Sequence, residues 1–193
     1  MLQCRAVGEP CRQSLERHAS LRVHRKEYKY KLEIHPCSPF LPTRHFLNWF
    51  SGRTSLPLCA VTFMLSPNPG EGYEFSDEVK GGVVVVINGA APGATVALRA
   101  DIDALPMPDN SANPWKSQTE MRCHACGHDG HAAWLLGALR YLHEKRASFK
   151  GRVVGIFQPA EEIGRGALRV VQSGVFEHWG IQEIYGAHDE PTV

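Results

Sequence analysis

The 193 residues suffice for one domain with a real core. Apolar residues make up 43% and charged residues 21%, which excludes a disordered chain as a whole. A net charge of +1 gives no general attraction to nucleic acid, and the most apolar run, LPLCAVTFML (56–65), is too short to span a bilayer. The charge is uneven: residues 1–54 carry ten Lys/Arg against four Asp/Glu, the remainder 11 against 16. A basic arm can bind anionic surfaces, but a solvated, poorly ordered segment fits these residues better. The opening residues lack the continuous apolar core of a signal peptide. The cysteines Cys4, Cys11, Cys37, Cys59, Cys123 and Cys126 show no framework spacing. Reduced thiols and a cytoplasmic location are therefore expected, with neither nucleic acid nor membrane as partner.

In chain order, residues 1–70 have scattered charge, several prolines and no sustained period, so they form an atypical segment in which no element can be placed. Residues 71–193 are legible. VVVVI (83–87) is a β-branched run followed by the turn cluster NGAAPG. TVALRA (95–100) is a second strand, which pairs with the first as a hairpin or lies beside it. Residues 106–118 read as a loop. A helix is predicted over 130–146, with Leu135, Ala138, Leu139 and Leu142 as its apolar stripe. Asp129 is placed to cap its start, and Lys145 and Arg146 suit its C-terminal dipole. RVVGIF (152–157) is a buried strand, GALRVVQSG (166–174) a short helix with Gly174 as C′ residue, and EIYGA (183–187) a further strand. Strands alternating with helices predict an α/β fold whose sheet is largely parallel or mixed and flanked by helices.

The chemistry lies where these elements end. TVALRA runs into Asp101 and Asp103, RVVGIF into Glu161 and Glu162, and EIYGA into His188. CHACGHDGH (123–131) opens the long helix with two thiols and three imidazoles. In open α/β sheets ligands bind beyond the carboxyl ends of the strands, so four segments bring metal-liking side chains to one edge. Each has a plain structural reading too. The aspartates suit turns or caps, paired glutamates suit solvated turns, and a single His is usually a satisfied one. The CxxC of Cys123 and Cys126 also fits a redox pair, but not haem attachment, because Gly127 stands where CxxCH needs His. A structural zinc knuckle at Cys123, Cys126, His128 and His131 stays open. The shared position favours a catalytic centre. Mixed thiol, imidazole and carboxylate donors suit Zn²⁺, with Mn²⁺ or Co²⁺ as contenders. Of two adjacent glutamates, one can bind the metal while the other takes a proton from the water the metal activates.

The stretches TVALRADIDALPM (95–107), MRCHACGHDGHAAWLLGALRYL (121–142), GRVVGIFQPAEE (151–162) and IYGAHDEP (184–191) together resemble the M20 metallopeptidase family. Within it they are most similar to the amidohydrolase branch of aminoacylases, hippurate hydrolases and plant auxin-conjugate hydrolases. The resemblance covers residues 80–193. It implies a zinc-peptidase-like catalytic domain, two divalent ions (zinc or manganese, with cobalt as an alternative) and hydrolysis of the amide bond of N-acyl amino acids. It implies Cys126, His128, Glu162 and His188 as metal ligands, Glu161 as general base and Asp103 as the active-site aspartate that orients a ligand. Cys123 and His124 fall outside that ligand set, His131 reads as structure behind it, and Arg99 and Asp101 belong to the motif without a direct role. Family members continue past G-x-H-x-x-P into a lid domain, through which many form homo-oligomers. The lid, its assisting His and the last metal-binding His have no counterpart in these residues, and the family's opening R-x-x-x-H-x-x-P-E helix is not recognisable in 1–70. Asp109 stands near where the family usually has Glu. The expectation is thus the N-terminal half of a catalytic domain over 71–193, truncated before the lid, with impaired hydrolysis. A metal-binding or interaction remnant without turnover is the alternative.

Overall fold

The computed structural model of the chain describes residues 2–4, 65, 73–114 and 116–189. Apart from Leu2–Cys4 and Leu65, the segment 1–70 lies outside the described residues. Six strands form one mixed sheet: β1 (Leu2–Cys4), β2 (Glu74–Ser76), β3 (Val83–Asn88), β4 (Thr95–Asp101), β5 (Arg152–Gln158) and β6 (Ile181–Gly186), in the order β1-β6-β4-β5-β3-β2. Among the described residues three helices accompany them: α1 (His128–Glu144), α2 (Gly166–Gln172) and α3 (Val175–Trp179), with a 3₁₀ turn at Arg146–Ser148.

The all-apolar run of β3 is explained by burial on both faces. Val83, Val85 and Ile87 pack with Leu135, Leu136 and Leu139 of α1, while Val84 and Val86 pack with Val170, Val175 and Trp179 of α2 and α3. The sheet is thus the middle of three layers. Helix α1 sits so close to β5 that a Cβ on Gly155 would come 2.5 Å from Leu139 Cδ1, so a larger residue there would have to displace the Leu139 side chain.

β3 and β4 neither form a hairpin nor lie side by side, the two arrangements expected of them. β5 lies between them, antiparallel to β3 and parallel to β4, and Arg152 is the register partner of both Asn88 and Thr95. The turn cluster after β3 wraps the start of β5 instead of closing on itself. Gly89 N donates to Gly151 O (2.8 Å), Ala90 N to Phe149 O (2.9 Å) and Arg152 N to Ala94 O (2.9 Å). A Cβ on Gly93 would come 2.8 Å from Gly151 N, so the two loops leave no room for a side chain.

The helix predicted from residue 130 begins at His128, and its N-cap is Gly127 at φ 78 with no side-chain cap. Asp129 is therefore not the cap. It lies in the first turn, where its carboxylate favours the dipole and accepts a hydrogen bond from Gly130 N at 3.0 Å. Gly174 follows the C-cap Ser173 in the left-handed region, as expected of a C′ residue, but the chain at once re-enters a helix, α3.

β4, β5 and β6 run parallel, with β4 in the centre. The chain passes from β4 through α1 to β5 on one side, then through α2 and α3 to β6 on the other. Its connections therefore diverge at the carboxyl end of β4, which is where α/β sheets open a crevice for ligands.

Candidate metal centre

All four predicted segments meet at that crevice. β4 ends in the buried Asp101, and Ile102 N donates to Gln158 O at 3.0 Å, which keeps the ends of β4 and β5 level. Beyond β5 the backbone turns sharply. Ala160 adopts φ 58, an uncommon conformation for a residue with a Cβ. That turn presents two successive amides to one carboxylate: Glu161 N donates to Asp103 Oδ1 at 3.0 Å and Glu162 N to Asp103 Oδ2 at 3.1 Å. Asp103 is thereby the anchor of the Glu161–Glu162 pair. The pair is unequal, with the Glu162 side chain 18% exposed and that of Glu161 41%.

His128, the first residue of α1, is completely buried. Its Nδ1–H donates to the main-chain oxygen of Asp103 at 2.9 Å, which leaves the lone pair on Nε2. Nε2 has no hydrogen-bond partner, and neither does the buried Oε1 of Glu162, 3.7 Å away. Asp101 Oδ2 stands 3.7 Å and Glu161 Oε2 3.8 Å from the same nitrogen. His188, beyond β6, repeats the pattern: Nδ1–H donates to Asp189 O, and Nε2 faces Cys126 Sγ at 3.6 Å.

The site carries an excess of negative charge. Burial pushes the Cys126 thiol up, and Glu162, Glu161 and Asp101 push it further, to about 11. Burial lowers His128, but the hydrogen bond to Asp103 and the charge of Asp101 outweigh it and hold the imidazole above its ordinary value. Burial raises Asp101, but Arg99, whose Nη1 donates to Oδ2 at 2.8 Å, and the His131 hydrogen bond hold it below its ordinary value. Burial likewise raises Asp103, yet His128 and the Glu161 and Glu162 amides hold it low.

This arrangement fits a metal ion. Buried polar atoms are rarely left unpaired, and the unpaired ones here are an imidazole nitrogen and a carboxylate oxygen facing each other. Four overlapping groups bring ligand atoms within 4.8 Å of one another: Cys126–His128–His188, His128–Glu161–Glu162, Asp101–His128–His131 and His131–His188–Asp189. Cys126, His128, Glu161, Glu162 and His188 therefore come together, with Asp103 behind them. Among the described residues Cys123 belongs to no such group. Its backbone instead pairs with Leu105, N to O at 3.1 Å. Sequence reasoning gave Asp101 no direct role, placed His131 behind the ligands and did not link either of them to Asp189. His131 follows His128 by three residues, a spacing that puts both on one helix face and was the available signal.

The sequence model of peptidase family M20/M25/M40 matches residues 97–193. An N-acetylcysteine deacetylase of Bacillus subtilis is 44% identical over 116 residues, 60% of this chain and 30% of that protein. A hippurate hydrolase of Campylobacter jejuni is 38% identical over 135 residues, 69% of this chain and 35% of that protein. Among solved structures, a dinuclear metal-binding M20 peptidase of Bacillus subtilis superposes with a TM-score of 0.68 at 37% identity, covering 77% of this chain and 42% of that one. The chain thus spans about a third of the length of these curated relatives. Among the described residues, no helix is long and apolar enough to cross a membrane.

Proposed function

Because the chain belongs to peptidase family M20/M25/M40, we propose that it contributes a divalent-metal centre for hydrolysing the amide bond of N-acyl amino acids. The observation that carries this reading is the buried His128 Nε2 and Glu162 Oε1, unpartnered and 3.7 Å apart. Cys126, His128, Glu162 and His188 would hold the metal, zinc or manganese with cobalt as an alternative. Two ions are proposed, by likeness to the dinuclear peptidase. The substrate class follows the relatives, whose names specify N-acetylcysteine and hippurate.

Bound there, a divalent cation supplies Lewis acidity toward the amide carbonyl and acidifies water. The chain's own residues do the rest. Glu161, the more exposed glutamate, takes the proton of the attacking water and hands it to the departing amine. Glu162, more buried, would be the one to hold the metal. Asp103 carries no proton and holds both glutamates by their amides. His128 and His188 are each fixed in one tautomer by a main-chain oxygen, so Nε2 would be the atom offered to a metal. Residues 1–193 alone are expected to turn over slowly, because the half-exposed Glu161, His188 and Asp189 leave one wall of the centre open to water.

The test is hydrolysis of an N-acyl amino-acid panel with added Mn²⁺, Zn²⁺ or Co²⁺, alongside Glu161→Gln. Metal-dependent turnover that falls by about 10²–10⁴-fold in the variant supports the reading. Turnover that ignores metal or the substitution refutes it. No turnover by folded, metal-loaded protein favours a binding remnant. Metal content that falls in Glu162→Ala and His188→Ala but not in Cys123→Ala excludes the zinc knuckle; the opposite pattern establishes it.

A further inference from the structure

We propose that His131 is a positioning residue whose imidazole, bridging Asp101 and Asp189, sets where His188 stands against Cys126 and His128. The inference rests on the metal-centre reading of His188. His188 needs such a device. It lies beyond the end of β6 and is 39% exposed, so packing alone does not hold it. Its neighbour Asp189 is the link to the helix. His131, almost wholly buried on α1, has Nδ1 2.6 Å from Asp101 Oδ1 and Nε2 2.6 Å from Asp189 Oδ1. Asp189 N also lies 3.1 Å from His131 Nε2. Both ring nitrogens thus have partners within the bridge, although His131 stands beside ligand-forming groups.

The bridge is anchored at its far end. Arg99 donates through Nη1 to Asp101 at 2.8 Å and through Nε to Gln158 Oε1 at 3.0 Å. A polar chain therefore runs from the centre of the sheet, through Arg99, Asp101 and His131, to the exposed ligand segment. Gly127 closes the other side: a Cβ there would overlap the Asp189 carboxylate. Asp189 is seated between Gly127 and His131, and that seat puts the His188 ring 4.4 Å from the His131 ring and its Nε2 3.6 Å from Cys126 Sγ.

The experiment is Co²⁺ affinity of the 193-residue chain, by competition with a chromophoric chelator, for His131→Ala, Asp189→Asn, His188→Ala and the two double variants with His188→Ala. Residues that support metal ligands from behind change affinity by about 10–100-fold, and His131→Ala and Asp189→Asn are each expected to weaken binding within that range. Each double variant is expected to bind no more weakly than His188→Ala alone, because His131 and Asp189 act through His188. General damage to the fold would instead add to the His188→Ala loss, so additive losses overturn the inference. Asp189→Asn changes only the charge of a half-exposed side chain, and wild-type affinity in that variant also overturns it. Unchanged affinity in His188→Ala would sink the metal-centre reading itself and this inference with it, whereas a loss there without coupling sinks the inference alone.

Discussion

Asp103→Asn tests whether one carboxylate organises the glutamate pair. The side chain accepts two amide hydrogens, at 3.0 and 3.1 Å, from successive residues. Asparagine keeps one acceptor and turns an NH₂ toward the other amide, so one charge-assisted bond is lost and two donors face each other. A hydrogen bond to a charged group contributes about 1.5–3 kcal/mol net, and an unsatisfied buried group costs about 1–3 kcal/mol. These overlap, because they describe the same lost contact. Ala160 is strained at φ 58, and relaxation of the turn would return about 1–2 kcal/mol. The expected net loss is about 1 kcal/mol, read as a lower urea midpoint at unchanged slope in metal-free protein. The pH dependence supplies a second check. Asp103 in the fold lies below its ordinary 3.8, so the native state binds fewer protons than the unfolded chain in that range. Its contribution is complete above the unfolded value and is lost as pH falls through the folded value. The gap between wild type and variant should therefore narrow below about pH 4. A gap under about 0.5 kcal/mol at neutral pH, or one that persists unchanged into acid, would refute the reasoning.

Gly127→Ala should destabilise by about 1–2 kcal/mol from left-handed strain alone, and weaken Zn²⁺ binding by displacing Asp189. Gly137→Ala on the same helix, with no atom within 4 Å of the new Cβ, should stabilise by about 0.5–1 kcal/mol, and equal thermal melts for the two variants would contradict both. Alkylation of Cys126 by iodoacetamide in metal-free protein, followed on its own peptide by mass spectrometry, should keep rising with pH toward about 11, and a plateau near neutrality would show the thiol is not held protonated.

What was legible in the sequence was local. The β-branched run of β3 and the leucine spacing of α1 announce themselves, because burial imposes a period on neighbouring residues. The β3–β4 hairpin misled because NGAAPG is good turn chemistry whichever strand it faces. Insertion of β5 between its flanks is decided by residues some sixty positions on. α3 was invisible because five residues, VFEHW, cannot display a helical period, and Gly174 was read as an end. The candidate ligands were legible for a similar reason: each stands just after a strand or at a helix start. The Asp101–His131–Asp189 bridge was not, since its members come from three segments and no single segment shows that His131 has both nitrogens engaged.

The electrostatics of the crevice bear on what it is built to hold. Asp101, Asp103, Glu161, Glu162 and Asp189 crowd His128, His131 and His188, and Arg99 is the permanent cation hydrogen-bonded into the group. Buried negative charge without a partner is costly, so the site must recruit positive charge. A proton can supply it, and the upward shifts of His128 and Cys126 both express that option. A divalent ion supplies it better, because it can take the His128 lone pair, the Glu162 oxygen and the Cys126 sulfur together, and it favours the thiolate. Metal and proton therefore compete for the same atoms. Binding of Zn²⁺ should release about one proton or more per ion near pH 8, where a thiol at about 11 is still protonated, and release should decline as pH approaches that value. Calorimetric titrations in two buffers of different ionisation enthalpy measure that number directly. A binding enthalpy that is the same in both buffers would mean the ion displaces no proton, and Cys126 would then have to be removed from the ligand set.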